Sequence, residues 1–132
     1  MSHWLLKLLA VAAGGALGAS LRYLAVHATQ ALLGFGFPWG TLLVNLLGSC
    51  AIGYLFVLLP ESTEPLPLLR LLLVTGLLGG FTTYSAFSIE TLQLLQMGAL
   101  ARAGGYMVAM LLLCLAGAWG GLLLGRALHA GA

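Results

Sequence analysis

Four apolar stretches, each long enough to cross a lipid bilayer as a helix, occupy most of this 132-residue chain. About 20 apolar residues span the hydrocarbon core of a membrane, and 61% of the residues here are hydrophobic while only 6% are charged. The sequence therefore predicts an all-α membrane protein made of one four-helix domain that covers residues 1–132. The predicted transmembrane helices are 4–33, 40–59, 68–97 and 103–128.

Polar residues interrupt the third stretch at a depth where a spanning helix is normally apolar. Gly79 and Gly80 follow the apolar run and predict a break in the helix. The polar side chains beyond them are Thr82, Thr83, Tyr84, Ser85, Ser88, Glu90 and Thr91. Lipid cannot satisfy the N–H and C=O groups that a break releases, so the break must be buried in protein or line a watery cavity. Broken helices often present such groups to ions, and an ion pathway is the first functional hypothesis.

The second half of the third span has one face on which aromatic rings and hydroxyl groups mix. Tyr84, Phe87, Ser88 and Thr91 lie at positions i, i+3, i+4 and i+7 of a helix. An aromatic stripe with helical spacing is usually ordinary core. Hydroxyl groups directly after a helix break favour the alternative, in which this face lines the pathway.

Isolated polar residues in the other spans have two interpretations each. Asn45 is either hydrogen-bonding glue between helices or a donor to an anion through its carboxamide N–H groups. Thr41, one turn earlier on the same face, lies toward the mouth of such a path. Arg22 is either part of a functional site or a side chain that reaches the membrane interface. Glu90 needs a partner or water at its depth, and Arg22 is a candidate counter-ion.

Glycine spacing indicates where helices approach one another closely. Gly14 and Gly18 in the first span, and the ridge of Gly117, Gly121 and Gly125 in the fourth, have the small-xxx-small spacing of packed membrane helices. The N-terminal run also has the outline of a signal peptide. Because apolar residues continue to Phe37, we expect a transmembrane span there instead.

The positive charges give little preference for one orientation in the membrane. With four spans, Lys7, Arg70 and Arg126 lie on one side, against Arg22 and Arg102 on the other. The Lys and Arg bias sets membrane orientation, and three against two is nearly balanced. The sequence therefore permits insertion in both orientations, and hence an antiparallel dimer.

Other functional classes fit the sequence less well. A small proton-coupled drug or cation transporter with dual topology needs a membrane carboxylate, typically in the first span, and the first span has no acid. An assembly subunit would explain the glycine ridges but not the hydroxylated break. An enzyme is disfavoured because no nucleophile–base pair or metal-ligand cluster is visible, and the net charge of +2 is too small for a nucleic-acid surface.

Three motifs in three helices resemble the CrcB/Fluc family of bacterial fluoride channels. They are GGALGASLRY at 14–23, GTLLVNLLGSCAIGY at 40–54 and GLLGGFTTYSAFSIE at 76–90, and the resemblance extends over essentially the whole chain. It implies a channel that exports fluoride ion passively across the bacterial inner membrane and so lowers cytoplasmic fluoride. It also implies an antiparallel, dual-topology dimer in the lipid, of two identical chains or of this chain and a paralogous subunit, with two pores at the dimer interface.

The resemblance also assigns roles to individual residues. It implies a structural sodium ion held by the backbone carbonyls of Gly79 and Thr82 from both subunits. It implies that Asn45, Tyr84, Phe87 and Tyr106 line the anion pore. Thr41 and Ser88, which share helix faces with these residues, are further candidates for the pore. Two features depart from the family pattern: Tyr84 replaces a phenylalanine, and Met110 and Cys114 stand where the fourth helix usually has serines.

Overall fold

The computed structural model describes residues 3–60 and 66–129, and within these ranges the chain is a bundle of helices. The loop predicted between the second and third spans falls mainly on residues 61–65, outside the described part. The third span consists of four consecutive segments. The elements are α1 (His3–Leu33), α2 (Trp39–Leu58), α3 (Leu66–Arg70), a π-helix (Leu71–Leu78), α4 (Gly79–Phe81), α5 (Tyr84–Gln96) and α6 (Leu100–His129).

Four of these stretches are long and apolar enough to cross a membrane: His3–Leu33, Trp39–Leu58, Leu68–Gln96 and Leu100–His129. The prediction of an all-α membrane protein with four spans and a break in the third is therefore confirmed. The helix bounds lie within three residues of those expected, and the largest difference is at the start of α6, which begins at Leu100 and not near Ala103.

Two glycines end helices because they adopt a backbone conformation that other residues rarely take. Gly34 has a φ of 77° directly after α1, and its N–H donates to the carbonyl of Gln30. Gly98 has a φ of 71° after α5, and its N–H donates to the carbonyl of Leu95. These left-handed residues are the usual helix C-terminal signal, and they fix the short connections that bring neighbouring spans side by side.

The first span packs along the first half of the third span through glycines on both helices. A Cβ atom added at Gly14 or Gly18 would overlap the carbonyl oxygens of Leu72 and Leu77, respectively. A Cβ atom on Gly80 would lie 2.6 Å from the carbonyl oxygen of Gly15. Small residues let membrane helices approach closely, so the packing role predicted for this glycine face is confirmed.

The second span packs along α6 through the glycine ridge predicted in the fourth span. A Cβ atom on Gly121 would overlap the carbonyl oxygen of Cys50, and one on Gly125 would lie 3.0 Å from the side chain of Val57. In the opposite direction, Gly53 of α2 lies against the carbonyl of Ala118. Two closely packed helix pairs thus frame the break in the third span.

Gly121 and its neighbour Gly120 provide a matched test of this packing. We expect Gly121→Ala to destabilise the protein by about 1–3 kcal/mol because the added methyl group overpacks the contact with Cys50. Gly120 has nothing within 4 Å of an added Cβ atom, so Gly120→Ala should change stability by no more than about 1 kcal/mol. Thermal unfolding in detergent measures both effects. Equal Tm values for the two variants would contradict the assigned packing.

Candidate functional site at the break in the third span

The break lies at two threonines, and the glycines before it remain helical. Thr82 (φ −84°, ψ 159°) and Thr83 (φ −155°, ψ 121°) are extended, whereas the sequence places the interruption at Gly79 and Gly80. The glycines are in α4, where the close approach of α1 to Gly80 explains the need for a small residue. Thr83 begins α5 because its side-chain oxygen accepts a hydrogen bond from the N–H of Ala86 at 3.2 Å, as N-cap residues do.

Asn45 clamps the extended backbone from the neighbouring helix α2. Its Nδ2 donates to the carbonyl oxygen of Thr83 at 2.9 Å, and the N–H of Thr83 donates to its Oδ1 at 2.7 Å. The same Nδ2 also donates to the sulfur of Met110 on α6 at 3.5 Å. Asn45 and Thr83 are both buried. The carboxamide oxygen replaces the helical partner that the break removes from the Thr83 N–H, and Nδ2 is an additional donor to the Thr83 carbonyl.

The break interrupts the helical hydrogen bonds of the carbonyl oxygens from Gly79 to Thr82. In a continuous helix the N–H of residue i+4 donates to the carbonyl of residue i, so Thr83 would donate to Gly79 and Ala86 to Thr82. Here the Thr83 N–H is bound to Asn45 and the Ala86 N–H to the Thr83 hydroxyl. The carbonyls of Gly79 and Thr82, to which the family resemblance assigns a cation, are among those that the break releases.

Four aromatic rings form a continuous ladder from the break toward the loop before α2. The centroid distances are 5.4 Å for Tyr84–Phe87, 5.2 Å for Phe87–Tyr106 and 5.3 Å for Tyr106–Phe37. All three pairs meet edge to face, with interplanar angles of 62°, 62° and 81°. Ring edges carry the positive end of the aromatic quadrupole, so the ladder offers partial positive charge without a formal cation.

A carboxylate joins three helices at the far end of this ladder. Glu90 of α5 accepts hydrogen bonds from the hydroxyls of Thr41 on α2 and Tyr106 on α6, each at 2.7 Å. The two carboxylate oxygens are each paired with one of these donors, and within the described part of the chain no ion pair joins Glu90 to Arg22. The candidate counter-ion pair is therefore absent inside one chain, and hydroxyl donors take the place of the arginine.

The hydroxyls on the mixed face of α5 bond to their own helix. Ser88 donates to the carbonyl of Tyr84 at 3.0 Å, and Thr91 donates to the carbonyl of Phe87 at 2.7 Å. Side-chain hydroxyls in membrane helices commonly bond back in this way. Ser88 would have to rotate its hydroxyl away from Tyr84 before it could donate to an ion.

The predicted site residues divide between two cavities. A cavity of about 700 Å³ at the break is lined by Asn45, Gly79, Thr82, Tyr84 and Phe87 among others. A smaller one of about 230 Å³, nearer the loop before α2, is lined by polar groups that include Thr41, Glu90 and Arg102. Tyr106 is fully buried and contacts both Phe87 and Glu90. Arg22 and Ser88 are outside both linings.

Sequence reasoning missed the partners of Glu90 and the sulfur lining of the larger cavity. Thr41 and Glu90 are 49 residues apart, and no spacing rule within one helix connects them. The sequence did indicate that Glu90 has some partner, because a carboxylate in an apolar span requires a donor. Met110 and Cys114 were recognised in the sequence as replacing the serines of the family pattern. Both residues line the larger cavity.

These features define a multi-pass membrane protein with a polar, aromatic-lined site at a broken span, a class that includes ion channels and transporters. Comparison with known proteins then gives the family. The family described as CrcB-like protein, Camphor Resistance (CrcB), matches residues 9–122, and the chain belongs to it.

Curated relatives named fluoride-specific ion channel FluC resemble the chain over most of its length. One from Magnetococcus marinus is 48% identical over 116 residues, which are 88% of this chain and 94% of that protein. One from Agrobacterium fabrum is 46% identical over 88% of this chain and 93% of the relative. One from Anaeromyxobacter dehalogenans is 48% identical over 91% of this chain and 95% of the relative.

Proposed function

We propose that this chain is the subunit of a fluoride-specific ion channel, which exports fluoride passively across the bacterial inner membrane and lowers its cytoplasmic concentration. The observation that carries the proposal is identity of 46–48% to proteins named as such channels, over about nine-tenths of the chain. A multi-pass transport protein of this kind is not an enzyme. The alternative of a proton-coupled drug transporter is not favoured by these relatives.

The chemistry at the break suits a small, strongly hydrated anion. Removing water from such an ion is costly unless polar groups replace it. We assign that task to the nearby hydroxyls and to Asn45, whose N–H group must exchange its long contact with the Met110 sulfur for the ion. The edges of Tyr84 and Phe87 add partial positive charge that attracts an anion without trapping it. Conduction requires binding that is weak and spread over several positions, and the ladder supplies successive positions.

The mouth of the path is assigned to the smaller polar cavity. Thr41 and Glu90 line it, and Tyr106 connects it to the aromatic ladder through its ring and its hydroxyl. Ser88 and Arg22 remain candidates for the path and its vestibule, respectively. The Thr41 and Tyr106 hydroxyls partly offset the negative charge of Glu90, which would otherwise repel an anion nearby.

We propose that two copies in antiparallel orientation complete the channel. The larger cavity opens on the surface of the single chain, where Gly79 is exposed and the side chain of Tyr84 is 78% exposed, in the middle of an apolar span. Lipid cannot satisfy the released carbonyls at this depth, whereas a second copy would cover them. The near balance of Lys and Arg supports opposite orientations. A paralogous subunit in place of the second copy is the other possible outcome.

The residues at the break fit a structural sodium ion between the two copies. The released carbonyls of Gly79 and Thr82 are neutral oxygen ligands, which hard cations prefer, and two subunits would contribute four of them. When bound, the ion would satisfy these oxygens and hold the breaks of the two chains together. The exposed Gly79 leaves room for the backbone of the partner, because an added Cβ atom meets only Val74 of its own helix, at 3.8 Å.

We expect dimer stability to depend on sodium and this dependence to be lost in Gly79→Ala. The added methyl group is tolerated within the chain but would crowd the partner, so folding of the subunit should persist. Dimer dissociation in detergent, measured by size-exclusion chromatography in sodium and in N-methylglucamine, gives the comparison. A crystal structure with a heavier monovalent cation should show one ion on the two-fold axis. Stability that is the same in both salts, with no ion on the axis, would contradict the sodium proposal.

Ion efflux from liposomes tests the function directly. Purified protein in vesicles loaded with fluoride should release it down its gradient when potassium and valinomycin balance the charge, and the same vesicles loaded with chloride should retain their content. Because the path is passive, a pH difference between the two sides should not be required. Chloride efflux at a similar rate, or fluoride efflux only with a proton gradient, would overturn the proposal.

A further inference from the structure

Three of the six sulfur-containing side chains line the cavity at the break. Met107, Met110 and Cys114 occupy positions i, i+3 and i+7 of α6, so all three lie on one face of that helix. Met110 is buried, Cys114 is half-buried and Met107 is exposed. The wall that α6 contributes to the cavity, otherwise formed by Leu111 and Leu115, is therefore rich in soft donor atoms.

The two inner sulfurs are close enough to bind one metal ion together. The Sγ of Cys114 donates to the Sδ of Met110 at 3.7 Å. If both sulfurs were bonded to one ion at about 2.3 Å, the length of a zinc–thiolate bond, they would subtend about 107° at it, an angle that leaves room for a third ligand. Residues at i and i+4 on a helix are already neighbours, so this chelation needs little rearrangement.

We propose that Cys114 and Met110 bind a soft monovalent d10 cation, Cu(I) or Ag(I), with Met107 as a third ligand from the cavity wall. Thiolate and thioether ligands select such ions. On binding, the Cys114 S–H bond breaks, its proton goes to water, and metal–sulfur bonds form to the thiolate and to a lone pair of Met110. No electron is transferred in this step. The site is distinct from the oxygen-lined sodium site proposed at Gly79 and Thr82.

Occupancy would also disturb the clamp on the break. Met110 accepts a hydrogen bond from Asn45 at 3.5 Å, and metal bonding at this sulfur would compete with that contact. The ion would sit in the cavity that also contains Asn45 and Phe87. We therefore expect the bound metal to block fluoride efflux, an expectation that rests on the proposed function. Binding of the metal does not depend on that function.

Calorimetric titration with silver nitrate in chloride-free buffer tests the binding. The wild-type chain should bind one Ag(I) at this site and release one proton, detected by repeating the titration in buffers of different ionisation enthalpy. Cys114→Ser should lose the tight binding. Met110→Leu, which conserves volume, should weaken it at least about tenfold, because removing an outer-shell partner already costs about that much and Met110 is a direct ligand. Cys50→Ser is the control, because Cys50 is also a free, half-buried thiol, and it should bind like the wild type.

Two outcomes would overturn the site. Equal silver affinity for the wild type and Met110→Leu would mean that a single thiol reacts alone, and loss of binding in Cys50→Ser but not in Cys114→Ser would place the metal elsewhere. Size-exclusion profiles show that each variant is folded before titration.

Fluoride efflux is measured separately, as the fraction of each variant's own rate that remains after silver is added. The wild type and Cys50→Ser should lose most of their flux, and Cys114→Ser should keep it. Binding without block would contradict the proposed location in the path, while absence of fluoride flux in untreated wild-type vesicles would contradict the proposed function and not the metal site.

Discussion

Asn45→Leu is expected to abolish fluoride efflux and to destabilise the protein at the same time. The carboxamide holds both the N–H and the C=O of Thr83, at 2.7 and 2.9 Å, and Thr83 is only 8% exposed. Leucine would leave the Thr83 N–H buried without a partner, at a cost of about 1–3 kcal/mol, and it would remove the second donor to the Thr83 carbonyl, which as the N-cap carbonyl of α5 also accepts a helical bond. The break would then lose the geometry that releases the carbonyls of Gly79 and Thr82, and the proposed path would lose the N–H group that now contacts the Met110 sulfur.

Two measurements separate the roles of Asn45. Thermal unfolding in detergent measures the stability that the contact between Asn45 and Thr83 provides, and efflux from liposomes at equal protein density measures transport. In Asn45→Asp the buried carboxyl group should stay protonated, because an unpaired charge is costly there. It then keeps an acceptor for the Thr83 N–H and one O–H donor for the Thr83 carbonyl but loses the second N–H, so its stability should lie between those of the wild type and Asn45→Leu. Leu47→Ala, at an exposed position of the same helix, controls for general effects on α2. Normal stability of Asn45→Leu with lost flux would show that the side chain serves the ion alone.

Phe87→Ile is expected to reduce fluoride efflux at least about tenfold while leaving the fold intact. The ring is in the middle of the aromatic ladder and contacts Tyr84 and Tyr106 edge to face. Isoleucine fills much of the same space but has no ring edge. The edge-to-face contacts are worth about 0.5–1.5 kcal/mol each beyond their burial, so we expect a modest loss of stability and a much larger loss of flux.

Phe56→Ile is the matched control for this substitution. Phe56 lies on α2 with its side chain 62% exposed, and it is outside the lining of both cavities. Its replacement should leave efflux near the wild-type rate. Efflux is measured with a fluoride electrode at equal protein density. Unchanged efflux in Phe87→Ile, or an equal loss in Phe56→Ile, would count against a pore role for the ring.

The four spans and their packing faces could be predicted because they depend on local properties of the sequence. The length of each apolar run sets a membrane helix, and the spacing of glycines marks where another backbone approaches. Gly18 and Gly121 contact the carbonyls of Leu77 and Cys50, as small-xxx-small spacing implies. The polar residues after Gly80 likewise identified the region of the break.

The exact position of the break and the partners at the site could not be predicted, because they depend on contacts between helices. Conformational freedom suggested Gly79 and Gly80, yet the structure uses Gly80 to accommodate α1 and ends the helix at Thr82. Asn45 and Thr83 are 38 residues apart, so their pairing is a tertiary event. Glu90 accepts hydrogen bonds from hydroxyls on two other helices. Charge alone had predicted an arginine as its partner.

The π-helix at Leu71–Leu78 has a consequence for how the third span should be compared with related sequences. Its i→i+5 bonding takes more residues per turn than an α-helix, so the angular position of a side chain changes between the two ends of this segment. One helical wheel drawn through the whole span would assign faces wrongly. The residues after Thr83 need a separate helical wheel. Deletion of one residue within 71–78 would rotate the side-chain directions of all later residues, unless the π-helical turn reverted to α-helical hydrogen bonding.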